Sequence, residues 1–165
     1  GRAGFAAGVK AANPQVKLLT TFCGEQDDLL LAEKVTLAQA EAKADVIFTM
    51  LNAGRKGAIE GCRKAKISQI GNVGDWTAVE PDVFVASAVA DVSVAMEMAV
   101  KDLIGKKKVA GTHVKIGLAE KNAVKLAMSP DTNVEVKRRI DQFTAEIISG
   151  EIKVPAAYDG PEFTI

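Results

Sequence analysis

The sequence predicts an α/β fold built on a parallel β-sheet. Strand-like runs of β-branched and apolar residues alternate with helical stretches of roughly ten to sixteen residues, and the turns between them are short. One of these runs, Asp45–Leu51, is apolar on both faces, which is typical of a central strand in a parallel sheet. With 165 residues, 48% of them apolar, the chain is long enough to bury a core.

The elements follow one another in a regular order. The predicted strands are Val16–Phe22, Asp45–Leu51, Ile67–Val73, Val83–Val89 and His113–Leu118. The predicted helices cover Arg2–Ala12, Asp27 or Asp28 to about Lys43, a helix opened by Asn52–Gly57 that runs through Ala65, Asp91–Ile104 and about Val134–Ser149. Since a βαβ unit places a strand before each helix, a chain that opens on a helix is expected to be a piece of a larger α/β protein.

Local start and stop signals support the helices. Asn13-Pro14 ends the first helix, because proline cannot continue it. Asp27 or Asp28 can cap the second helix, and Asp91 can cap the fourth. Gly150 closes the last helix.

Composition excludes several classes of protein. Lys and Arg together number 21, as do Asp and Glu, so the chain has no electrostatic footprint for nucleic acid. No apolar run reaches the length of about 18 residues that a membrane span needs. The cysteines, Cys23 and Cys62, do not form a Cys-x-x-Cys motif, and we expect two separate thiols. The turn Gly105–Lys108 is expected to be a solvated basic turn.

Two loops that follow predicted strands carry candidate ligand contacts. In an open parallel sheet, ligands bind beyond the carboxyl ends of the strands. Asn52 and Gly54 open a helix, where backbone amides can bind an anion or a polar ligand edge. Asp75 and Trp76 pair an acceptor with a flat stacking surface. The alternatives are a tight turn made by the glycines, and a solvated acid beside a tryptophan packed on the sheet rim.

No set of residues indicates catalysis. His113 is the only histidine, and the sequence fixes no acid or nucleophile beside it. The phosphate-binding motif G-x-x-x-x-G-K-[ST] is absent, because Gly54 and Gly57 are too close together. We expect no metal and no cofactor.

Three segments form an ordered series of motifs. Arg2–Pro14 is similar to E-A-G-F-x-A-G-x-K-x-x-N-P, Ala44–Phe48 to G-A-D-V-I-F, and Glu146–Pro155 to I-I-S-G-E-I-x-V-P. The series resembles the basic membrane protein (BMP) family, solute-binding lipoproteins of ABC transporters. The resemblance implies a type 1 periplasmic-binding-protein-like fold, with a doubly wound parallel sheet. This chain would then be its second lobe, without that lobe's first strand.

The resemblance also implies a solute class. The family's D-x-D-Q segment lies over Val73–Trp76, so that its second acid is retained as Asp75. In nucleoside-binding members that acid and a lysine hold the ribose, and the lysine position here is Ala90. A purine nucleoside, nucleobase or similar planar solute is therefore implied, bound by Asn52, Gly54, Asp75 and Trp76.

The mechanism that the resemblance implies is binding, not catalysis. Two lobes close over a solute and present it to a membrane permease. The protein would be periplasmic or lipid-anchored outside the cytoplasmic membrane. Two alternatives stay open: an enzyme on a related α/β fold that uses Asp75, and the effector-sensing domain of a transcription regulator.

The resemblance assigns residues 1–155 to the C-terminal lobe and the lobe-crossing segments, and residues 156–165 to a tail. The N-terminal lobe would be the missing partner. The absent strand would lie between Val16–Phe22 and Asp45–Leu51, leaving two apolar edges. We therefore expect residues 1–165 to be incomplete as a folding unit and to aggregate when expressed alone.

Overall fold

The computed structural model describes residues 1–107, 111, 113–120 and 122–164. They form two compact units: unit 1 is Gly1–Ile70 with Ser149–Ile165, and unit 2 is Gly71–Ile148. The elements are α1 (Arg2–Ala12), α2 (Leu29–Glu41), β1 (Val46–Phe48), α3 (Arg55–Ala65), β2 (Ser68–Val73), β3 (Phe84–Ala90), α4 (Val92–Ile104), β4 (Val124–Met128) and α5 (Val134–Ser149). The predicted α/β class is confirmed.

The strands form a four-stranded sheet in the order β1-β2-β3-β4. β1 and β2 are parallel, with Val46 opposite Ser68. β3 and β4 are antiparallel, with Ala90 opposite Val124. The predicted parallel sheet is thus found with an antiparallel edge strand, β4, an addition that is common on otherwise parallel sheets.

Two predicted strands are wrong. Val16–Phe22 and His113–Leu118 have no regular secondary structure, and the strand after α4 is Val124–Met128 instead. A strand exists only where a partner satisfies its backbone groups, and composition does not identify that partner. The predicted Asp45–Leu51 shortens to the three residues of β1 for the same reason.

The helices follow their predicted signals. Asp28 caps α2 and its carboxylate accepts from the Leu31 N–H at 2.9 Å. Asp91 caps α4 by accepting from the Ser93 N–H at 2.9 Å. Gly150 follows α5 with a φ of 83°, a left-handed conformation that glycine adopts without strain. Of the predicted basic turn Gly105–Lys108, Lys108 lies outside the described residues.

Helices α2 and α3 approach closely through small residues. Ala32 and Ala58 are buried. A Cβ atom added at Gly57 would lie 1.9 Å from the Leu29 carbonyl oxygen, and one at Gly61 would lie 2.8 Å from Cγ2 of Thr36. Gly57 is therefore required by the close packing of α2 against α3. Its role is not simply to make a tight turn between strand and helix.

A buried polar group lies beneath α3. The side-chain amide of Gln69, on β2, donates to Thr49 Oγ1 at 2.7 Å. The Cys62 thiol is 3.7 Å from Gln69 Oε1. Burial raises the pKa of the Cys62 thiol to about 11. Cys23 and Cys62 are both free, as predicted.

The C-terminal segment is bonded to the rest of unit 1. The Arg2 guanidinium lies 4.3 Å from the Phe22 ring centroid and 4.2 Å from that of Tyr158. The same group pairs with Glu162 at 2.5 Å. The Phe163 N–H donates to the Thr20 carbonyl at 2.6 Å. These contacts bind Tyr158, Glu162 and Phe163 to the rest of unit 1, within the stretch 156–165 for which the resemblance implies a tail.

Candidate functional site

In unit 1, the loop that opens α3 is closed by the loop before α2. The backbone N–H groups of Asn52 and Gly54 both donate to the Gln26 carbonyl, at 3.2 and 3.0 Å. The Ala53 N–H donates to the Asp27 carboxylate at 2.9 Å. The anion that a helix N-terminus favours is thus supplied by the chain itself. The Gly54 amide that the sequence assigns to a ligand is already hydrogen-bonded within the protein.

Gly54 has a steric role in this loop. A Cβ atom there would lie 2.7 Å from the Gln26 carbonyl oxygen, so only glycine permits the close approach of the two loops. Next to it, Arg55 Nη2 donates to the Leu51 carbonyl at 2.8 Å. Burial lowers the pKa of the Arg55 guanidinium. The side chain of Asn52 is exposed to solvent.

In unit 2, β2 ends in an unusual turn. Val73 has a φ of 70°, and the Gly74 N–H donates to the Asn72 carbonyl at 2.9 Å. A hydrogen bond that spans two residues around a positive φ is a γ-turn of the rare, strained kind. Such conformations are costly for a β-branched residue and cluster at functional sites.

The turn brings Trp76 back onto its own strand. The indole Nε1–H donates to the same Asn72 carbonyl at 3.0 Å. The ring centroid is 5.8 Å from that of Phe84, at a tilt of 33°. A Cβ atom added at Gly71 would lie 2.7 Å from Trp76 Cδ1, so the indole rests on the bare backbone of Gly71. Trp76 is consequently half-buried.

Asp75 is exposed and partly engaged by its own turn. Its Oδ1 accepts from the Thr77 N–H at 3.1 Å and from Thr77 Oγ1 at 2.6 Å. A carboxylate offers about four acceptor positions, so these two bonds leave capacity for a ligand donor. Thr77 is itself buried, which holds the carboxylate in place.

The predicted site residues fall in two pairs. Asn52 and Gly54 lie in unit 1, whereas Asp75 and Trp76 lie next to each other in unit 2. Sequence reasoning missed the contribution of Val73, because no local signal predicts a positive φ at valine. It also missed Ser87, whose buried hydroxyl donates to the Gly74 carbonyl at 2.6 Å. The signal there was a serine within the apolar run of β3.

The other candidates are unremarkable. His113 is exposed in an irregular segment. Across residues 1–107, 111, 113–120 and 122–164, no group of three or more His, Cys, Asp or Glu side chains is arranged to hold a metal ion. Over the same residues, no helix combines the length and the apolarity that crossing a membrane requires.

Comparison with known proteins gives matches along most of the chain. A family model, Bmp, described as ABC transporter substrate-binding protein PnrA-like, matches residues 1–158. Basic membrane protein A of Borreliella burgdorferi is 28% identical over 94% of this chain and 47% of its own length. The CD4+ T-cell-stimulating antigen of Listeria monocytogenes is 25% identical over 93% of this chain and 47% of its own length. The chain thus spans about half the length of these relatives.

Solved structures share the fold. A solute-binding protein of an ABC transporter system from Aeropyrum pernix superposes with a TM-score of 0.73 over 91% of this chain and 51% of that one, at 19% identity. A transcriptional activator of the comK gene from Bacillus halodurans gives a TM-score of 0.68 over 78% of this chain and 45% of that one, also at 19% identity. At such identity these likenesses show the fold alone.

Proposed function

Because this chain belongs to the Bmp family of PnrA-like ABC transporter substrate-binding proteins, we propose that it forms part of the solute-binding component of an ABC importer. The match over residues 1–158 is the observation that carries the proposal. The component binds its solute without chemical change, outside the cytoplasmic membrane and in the periplasm or on a lipid anchor. Its partners are a membrane permease and an N-terminal lobe.

The solute we propose is a purine nucleoside, a nucleobase or a similar small planar molecule. Trp76 supplies an aromatic face, and its Nε1–H is already satisfied by Asn72, so the ring contributes stacking and not hydrogen bonding. Asp75 supplies an exposed carboxylate beside that ring. This pair suits a flat ligand that carries hydroxyl or amine donors.

We also propose Asn52 and Gly54, which lie in unit 1, as ligand contacts of their own loop. The exposed Asn52 side chain can both donate to and accept from the polar edge of a base. Gly54 contributes through the close approach of its loop to Gln26, since its amide is bonded there. Ala90 stands where the family resemblance implies a lysine that holds the ribose, so we favour a base or another planar solute over a ribose-dependent ligand.

The proposal is tested by calorimetry on the protein expressed at the full length of its gene, with a panel of purine nucleosides and nucleobases. Trp76→Ala and Asp75→Ala should each weaken binding at least several-fold. Losing an aromatic partner costs about 0.5–1.5 kcal/mol beyond the area it buries. Losing the acceptor of a buried donor costs about 1–3 kcal/mol.

Asp91→Ala is the matched control. Asp91 has the same local geometry as Asp75, because its Oδ1 accepts from both the N–H and the hydroxyl of Ser93 two residues later. This variant should lower thermal stability and leave affinity unchanged. If both loop variants bind the panel as tightly as the wild type, the Asp75–Trp76 loop is only a turn and the site assignment is wrong.

A further inference from the structure

Val73 differs from the other non-glycine residues that have a positive φ. In the described part of the chain, the others are Lys43, Lys66 and Lys106, with φ of 72°, 56° and 55°. Each of these lysines comes directly after a helix or its cap, where a left-handed residue is an ordinary way to end the helix. Val73 instead ends a strand and is β-branched, so its conformation is strained.

Burial does not compensate this strain. The Val73 side chain is 55% exposed, and a glycine would adopt the same backbone without the steric penalty. A strained conformation persists only when its surroundings over-determine it. Here the bonds on both sides of Val73 do so: the Asn72 carbonyl accepts from Gly74 and Trp76, and the Gly74 carbonyl accepts from the buried Ser87.

The consequence of the turn is the position of Trp76. The indole returns to Asn72, four residues earlier, and to the backbone of Gly71. A strand that continued with negative φ at residue 73 would carry residue 76 onward, away from these two residues. The turn therefore decides which surface the ring covers, and where the exposed Asp75 stands beside it.

We propose that Val73 is a positioning residue for the solute site: its left-handed backbone folds Trp76 onto β2 and so fixes the Asp75–Trp76 loop before the solute arrives. The part of this inference that concerns the solute rests on the proposed function. The part that concerns the turn does not, and it is measurable without a ligand.

Trp76 is the only tryptophan among the 165 residues, which makes its fluorescence a direct probe. In the full-length protein, the difference between each variant and its counterpart that also carries Trp76→Phe isolates the emission of Trp76. Proline fixes φ near −65° and forbids the turn, so Val73→Pro should raise the acrylamide quenching constant of Trp76 about twofold or more and shift its emission to longer wavelength. Val73→Gly should leave both unchanged.

Thermal unfolding gives the second measurement. At a left-handed position Val73→Gly should leave Tm unchanged or raise it by up to about 4 °C, as should Lys66→Gly at the end of α3. Val85→Gly is the control for an exposed valine in an ordinary strand, β3, and should lower Tm. A Tm for Val73→Gly that falls as it does for Val85→Gly would overturn the proposal, even if Val73→Pro fails to fold.

Measuring solute binding distinguishes the proposed solute class from the proposed role of Val73. Val73→Pro should weaken the tightest-binding solute of the panel several-fold, whereas Val73→Gly should retain it. If the wild type binds no member of the panel, the proposed solute class fails and the quenching result still decides the role of Val73. If the quenching constant and the emission wavelength of Trp76 in Val73→Pro equal those of the wild type, that role is refuted.

Discussion

Replacing Gly57 with alanine tests the contact between α2 and α3. A Cβ atom at this position would lie 1.9 Å from the Leu29 carbonyl oxygen, 2.7 Å from its carbonyl carbon and 3.0 Å from its Cα. All three atoms belong to the backbone, so no side-chain rotation can relieve the overlap. The helices would have to separate locally by 3.4 − 1.9 = 1.5 Å to reach an ordinary contact distance.

The expected change in the free energy of unfolding follows from two opposing terms. Forcing extra volume into a packed contact costs typically about 1–3 kcal/mol, and the backbone overlap here places Gly57→Ala at the upper end. Alanine in the interior of a helix returns about 0.5–1 kcal/mol. The net destabilisation is about 2 kcal/mol, which corresponds to a fall in Tm of about 4–8 °C.

Gly8→Ala is the matched control, because Gly8 also lies inside a helix, α1, and nothing lies within 4 Å of a Cβ atom there. In this variant only the higher helix propensity of alanine changes the stability, so it should raise Tm by about 1–4 °C. Urea and thermal unfolding of the full-length protein, followed by circular dichroism, measure both variants.

Opposite signs for the two glycines are the diagnostic result. If Gly57→Ala is as stable as the wild type or gains as much as Gly8→Ala, then α2 and α3 do not pack backbone against backbone as described. The reasoning from steric overlap would then be refuted.

Further predictions concern ionisation and the C-terminal segment. Burial raises the pKa of Cys62 from 9.0 to about 11, so the stability that the neutral thiol contributes should be lost as pH rises from 9 to 11. At pH 8, the buried Cys62 should react with iodoacetamide far more slowly than Cys23. Hydrogen bonds from Ser93 lower the pKa of Asp91, so its capping contribution to α4 should be present above the ordinary pKa of 3.8 and fade as pH falls below it; Asp91→Asn should remove this pH dependence of Tm. Arg2→Met removes the cation stacked on Tyr158, and the C-terminal segment should then be cleaved faster in limited proteolysis, whereas an unchanged cleavage rate would count against that contact.

The helices were predictable because their signals are local. The bounds of α1 follow from a periodic apolar pattern and from Asn13-Pro14, and α4 follows from its capping Asp91. Helical hydrogen bonds join residues four apart, so a short window contains the whole interaction. The same holds for Gly150 at the end of α5.

Strands depend on partners that a sequence window does not contain. His113–Leu118 and Val124–Met128 both carry apolar residues with β-branched members, yet only the second pairs with β3. Val16–Phe22 is as rich in β-branched and aromatic residues as Asp45–Leu51, yet it forms no strand among the described residues, although Thr20 bonds to Phe163. Pairing across 143 residues of sequence cannot be read from propensity.

The candidate site was predictable in composition and not in geometry. Asp75 and Trp76 stand out as an acid beside a single tryptophan, and the structure sets them side by side in one turn. The γ-turn at Val73 that orients them is held by Ser87, a residue from another strand. A tertiary bond of this kind overrides the local preference of valine, and local preference is all that the sequence displays.

The division into units has a consequence for biosynthesis. Unit 1 is made of two stretches separated by the whole of unit 2, and the Thr20–Phe163 and Arg2–Glu162 contacts join its first residues to its last. Unit 2 is continuous in sequence. On a ribosome that adds about 5–20 residues per second, the early helices of unit 1 therefore wait several seconds for the segment that completes them, while unit 2 emerges whole. During that interval the buried Thr20 and its neighbour Thr21 lack the hydrogen-bond partners that Pro161 and Phe163 later supply.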